Sequence, residues 1–127
     1  MDEEIERWMK VAAEDYQVAV HLFDTFYPKP YGIICYHCEQ AAEKAIKALI
    51  LKSGNKGGMP KVHDLSFLLN QIKSKFVITD AMYDYADTLT PYGIAARYPN
   101  ELSLEEHHAK RAINAASAIV EWVRSNL

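Results

Sequence analysis

From Tyr31 to Ser53 small and apolar residues return with a helical period. At 100° per residue, Ile34, Cys35, Cys38, Ala41, Ala42, Ala45, Ile46, Ala48 and Leu49 occupy one half of the wheel, and His37, Gln40, Glu43, Lys44 and Lys47 the other. The spacing predicts an amphipathic helix over about residues 31–53, whose small side chains let neighbours pack close. Tyr27-Pro28-Lys29-Pro30 precedes it, a break set by prolines that lack the amide donor and clash with the preceding turn, with Pro30 suited to the start of a new helix. Ser53-Gly54-Asn55-Lys56-Gly57-Gly58-Met59-Pro60 ends it in a run of turn formers.

The rest of the chain reads the same way. Ile5, Trp8, Met9, Ala12, Tyr16, Ala19, Leu22, Phe23 and Phe26 recur at helical spacing and predict a first helix over about residues 3–27. Asp64 is placed to cap a short helix from Leu65 to about Ser74, and a further helix is expected from Thr79 or Asp80 through Leu89. Ser103-Leu104-Glu105-Glu106 matches a capping box that opens a last helix running to about Ser125. With abundant Ala and only five Gly and five Pro in 127 residues, the chain is expected to be all-α. The architecture predicted is an antiparallel up-and-down bundle of four main helices plus one short helix, in a single domain spanning 1–127. A chain of this length buries roughly two-thirds of its unfolded surface, so it needs no disulfide or structural metal to fold.

Charge narrows the function. With 14 Lys plus Arg against 17 Asp plus Glu, the net charge is −3, so any anion site must come from a local cluster rather than bulk attraction to nucleic acid or anionic membrane. No apolar run approaches the ~20 residues that span a bilayer, and the acidic start MDEEIERWMK lacks the features of a signal peptide. Together with only two Cys, this leads to the expectation of a cytoplasmic protein.

Four groups of residues could carry chemistry. Cys35 and Cys38 form a C-x-x-C, but both fall on the apolar side and no second pair exists, so they are expected to pack as small hydrophobes. The five His (21, 37, 63, 107 and 108) show no paired ligand spacing, and no metal site or required cofactor is expected. His37, Gln40, Lys44 and Lys47 line one stripe, with Glu43 beside them, and could meet one ligand; from spacing alone, Glu43 and Lys47 make an i,i+4 pair worth ~0.3 kcal/mol on a solvated face. Arg97 and Tyr98, in Ala96-Arg97-Tyr98-Pro99, join a guanidinium that can fork onto phosphate to an aromatic ring that can stack on a base.

Taken in order, these segments resemble the HEPN domain family of small helical proteins. The resemblance rests on Ala12-Ala13-Glu14-Asp15 with Ala19, on Tyr36-His37-Cys38-Glu39-Gln40-Ala41-Ala42-Glu43-Lys44-Ala45-Ile46-Lys47-Ala48-Leu49, on Lys61-Val62-His63-Asp64-Leu65 with Leu68-Leu69, and on Ala96-Arg97-Tyr98-Pro99. The family is similar to the C-terminal helical domain of kanamycin nucleotidyltransferase, and its stand-alone members often accompany a minimal nucleotidyltransferase. The resemblance therefore implies a non-catalytic module that binds a nucleotide such as ATP, or such a partner enzyme, as a homodimer. The residues it singles out are His37, Gln40, Glu43, Lys44, Lys47, His63, Asp64, Arg97 and Tyr98.

Some members are metal-independent ribonucleases that use an Arg followed a few residues later by a His across a dimer. That reading would make this chain a toxin of a toxin–antitoxin pair acting on RNA, with Arg97 and His107 as catalytic groups. The sequence departs from the pattern, because the window from Tyr98 to Glu105 holds no His. A third reading is a purely structural interaction protein.

Overall fold

The computed structural model describes residues 2–54, 63–94 and 103–127. It contains α1 (Glu3–Thr25), α2 (Tyr31–Lys52), the short α3 (Leu65–Asn70), α4 (Asp80–Leu89) and α5 (Glu106–Ser125), with a 3-10 helix over Thr90–Gly93 between the last two. The described residues include no strand, and the fold is all-α as the periodicity predicts.

Local chemistry sets most of the ends. Asp2 caps α1 by accepting from the Glu4 amide at 2.7 Å, and Glu3, Glu4 and Glu6 place negative charge in the first turn, where the helix dipole favours it. The Tyr27–Pro28 bond, which is cis, lies in the turn that leads to Pro30 at the N-cap of α2. Gly54 closes α2 with φ of +77°, a left-handed conformation that costs glycine nothing.

Two boundaries differ from expectation. The third helix was expected to reach Ser74 but stops at Asn70 and continues as tight turns, with the amides of Gln71, Ile72 and Lys75 bonded three residues back, which still buries Ile72 completely. The last helix does not start on a Ser103 cap. Glu105 is its N-cap, and the His108 ring takes the reciprocal position, Nδ1 accepting from the Glu105 amide at 2.9 Å; Leu104 packs against the core just ahead of it. A polar His side chain three residues into the helix thus takes the part expected of Glu106.

α2 is the centre of the molecule. It packs along α1 and along α5, and α4 closes over α5. The C-terminal ends of α2 and α5 meet, where Lys52 Nζ donates to the carbonyls of Asn126 at 2.8 Å and Leu127 at 2.9 Å, so these two helices run in the same direction. Such a diagonal contact requires thin side chains. Ala41, Ala42, Ala45 and Ala48 of α2 and Ala109, Ala112, Ala115 and Ala116 of α5 supply them, all completely or almost completely buried. Around this Ala seam, Ile34, Ile46, Leu49, Leu65, Leu68, Leu69, Leu89, Ile119 and Val123 fill the core, each contributing about 1.5–3 kcal/mol by leaving water.

Candidate functional site

The close approach of α1 and α2 leaves one polar seam. Ala12 and Ala19 are buried against α2, and Asp15, between them and only 12% exposed, reaches two α2 side chains at once. Its Oδ1 lies 2.9 Å from His37 Nδ1 and its Oδ2 accepts from Lys44 Nζ at 2.6 Å. His37 and Lys44 stand two turns apart, and one carboxylate serves both because helical side chains lean toward the N-terminus, bringing Lys44 back toward His37.

A second carboxylate repeats the arrangement. Glu43 accepts from Lys47 Nζ at 2.9 Å through Oε2 and from His63 Nδ1 at 2.8 Å through Oε1. His63 belongs to the residues just before α3, so this pair ties that segment to α2. Glu43 is buried, which corrects the expectation of a Glu43–Lys47 pair on a solvated face: Lys47 and His63 both close on its carboxylate.

One turn earlier lies Glu39, with no exposed surface at all. Its Oε1 accepts from Gln40 Nε2 at 2.8 Å, while Oε2 meets no conventional donor. Burial, together with the neighbouring Glu43 carboxylate, pushes the Glu39 carboxyl up to about 9. Glu39 is therefore protonated at neutral pH beside an ionised Glu43. Burial alone would raise Glu43 as well, but the donors His63, Lys47 and Glu39 outweigh it and hold Glu43 below the ordinary carboxylate value. An ionised Glu43 cannot donate, so His63 carries its proton on Nδ1 and turns Nε2 away from the carboxylate.

The structure thus gathers the predicted residues along a polar side of α2 as separate groups: His37 and Lys44 on Asp15, Lys47 and His63 on Glu43, and Gln40 on Glu39. Asp64 stands apart from them: its Oδ1 accepts from the Phe67 amide at 3.2 Å and caps α3. His107 lies exposed in the first turn of α5, its Nδ1 3.6 Å from Glu105 and its ring 4.0 Å from that of His108. Arg97 and Tyr98 lie outside the described residues. Two members of these groups escaped the sequence reading. Asp15 was legible only as a motif letter, although it falls seven residues after Trp8 on one line of α1. Glu39 carried a clearer signal, because i+4 from Cys35 and i−3 from Ala42 places it among the apolar positions.

Cys35 and Cys38 are free and completely buried, as expected of packing residues. Burial pushes the Cys35 thiol up to about 12, and burial with the adjacent Cys35 pushes Cys38 up too. Among the described residues, no three His, Cys, Asp or Glu side chains come together as a metal site would require. No described helix is long and apolar enough to cross a membrane.

Comparison with known proteins agrees with this fold. The HEPN domain matches residues 5–126. Among solved structures, TT1696 from Thermus thermophilus superposes with a TM-score of 0.84 at 23% identity, covering 99% of this chain and all (100%) of that one. ST0689, an archaeal HEPN homologue, gives 0.75 at 26% identity over 99% and 98% of the two chains. A HEPN domain protein of Thermotoga maritima, TM0613, gives 0.71 at 22% over 94% and 96%. No curated protein matches significantly. A match over nearly the whole chain, on the helical frame that holds the Asp15 and Glu43 networks, places this protein in the HEPN domain family.

Proposed function

We propose that this protein is a non-catalytic HEPN module that binds a nucleotide on the face formed by α1 and α2, working as a homodimer beside a minimal nucleotidyltransferase. The observation that carries the reading is Lys44. Its ammonium is fixed by one bond to Asp15, partly exposed, and keeps two further protons free to donate to a phosphate. Lys47 is more deeply covered and already bound to Glu43, so in this reading it supplies charge from behind. Arg97 and Tyr98 supply a second phosphate ligand and a contact to the base. His37 and His63 orient the two carboxylates instead of moving protons.

Calorimetric titration with ATP tests this. Saturable heat that Lys44→Ala abolishes, with helicity and melting temperature nearly kept and ATP recovered unchanged, is the expected result. No heat at millimolar ATP overturns the nucleotide reading for the isolated protein, and hydrolysis of ATP overturns its non-catalytic part. Light scattering of the purified chain tests the dimer, which a monomeric mass would refute.

A further inference from the structure

Beside Lys44 the α1–α2 seam opens into a shallow groove of about 310 Å³, lined by Glu4, Arg7, Trp8, Val11 and Lys44. Its composition is unusual for a chain with net charge −3. Trp8 is half-buried, and the open part of its indole lines the groove, with Lys47 Nζ 5.9 Å from the ring centroid on the α2 side. One aromatic ring thus shares the groove with Arg7 and Lys44 and has Lys47 near its face. The Arg7 side chain makes no hydrogen bond or ion pair to any described residue, although Glu3, Glu4 and Glu6 share its turn. A guanidinium left without a carboxylate, next to a Lys with donors to spare and an indole open on one side, matches a planar aromatic ring that carries an anionic group.

We infer that this groove is the base-binding part of the nucleotide site: Trp8 is the platform on which the base stacks, and Arg7 and Lys44 hold the phosphate. The inference rests on the nucleotide reading above and adds residues which that reading did not contain. Val11 extends the apolar floor beyond the indole. Glu4 is the one carboxylate in the lining; it offers an acceptor to a ribose hydroxyl or a base amino group and repels a second phosphate from its side of the groove.

The chain has two tryptophans, so Trp122→Phe leaves Trp8 as the sole tryptophan, read selectively by excitation at the red edge where tyrosine does not absorb. ATP is expected to quench it saturably, over the concentration range in which calorimetry of the unmodified protein detects heat. Trp8→Ala should weaken ATP binding roughly tenfold, in line with the loss of one stacked base, and Arg7→Ala should weaken it as well. If Trp122→Phe does not fold, the Trp8 indole N–H resonance of the unmodified protein, identified by its loss in Trp8→Phe, gives the same readout. Heat without any response from Trp8 overturns the groove and leaves the nucleotide reading standing. Neither heat nor response overturns both.

Discussion

The carboxyl of Glu39 packs against Gly93 so closely that a Cβ at Gly93 would stand 2.8 Å from Glu39 Cδ. This contact fixes the 3-10 helix against α2. Gly93→Ala is expected to destabilise the fold by about 1–3 kcal/mol through overpacking, since the carboxyl that the new methyl meets is completely buried and must shift. Combining it with Glu39→Ala should recover much of that loss. Urea unfolding of the two single variants and the double variant measures the coupling; strictly additive effects would show that the collision is not the cause.

The same Glu39 gives stability a pH dependence of predictable sign. Its carboxyl loses its proton near 4.5 when exposed in the unfolded chain and at about 9 when folded. Between these values the folded chain holds a proton that the unfolded chain has released, so stability falls as pH rises through the interval. The Glu39 contribution is complete below 4.5 and gone above about 9. Glu43 acts in the opposite sense, stabilising above 4.5 and losing that effect as pH falls through its lowered folded value. Glu39→Gln keeps the size and shape of the side chain but cannot ionise. Its melting temperature should fall less than that of the unmodified protein from neutral pH to pH 9; parallel curves would contradict a protonated Glu39.

Asp15 joins His37 and Lys44 through a single carboxylate. Asp15→Ala is expected to cost about 2 kcal/mol, against about 1 kcal/mol for His37→Ala or Lys44→Ala, because it strands a partly buried ammonium and an imidazole together. In the Asp15→Ala background, Lys44→Ala should cost little more. A full additional loss in the double variant would mean that Lys44 is held by packing, not by its charge.

The two thiols are buried and held in the protonated form. A disulfide exchange reagent should titrate neither in the folded protein and both after guanidinium unfolding. Rapid labelling of the native protein would show that α2 opens locally.

The helices were legible because their apolar positions repeat with a helical period. The α2 face was read correctly as polar and wrongly as solvated, because a helical wheel assigns direction and not neighbours: Asp15 arrives from α1 and His63 from the segment before α3, contacts that no spacing within α2 encodes. Glu39 was passed over because an acid amid apolar positions makes sense only once a proton and the close approach of Gly93 are known. The start of α5 misled for a local reason, since Ser103-x-x-Glu106 and Glu105-x-x-His108 are competing caps two residues apart, and packing of Leu104 favours the second.

Nucleotide binding by the α1–α2 face is decided by an ATP titration of the isotope-labelled protein followed at its backbone amides. The expected result is saturable shifts confined to Glu4 through Asp15, Gln40 through Lys47, and Arg97 with Tyr98. Amides that stay in place at millimolar ATP, or shifts that gather on α4 and α5 instead, would contradict it.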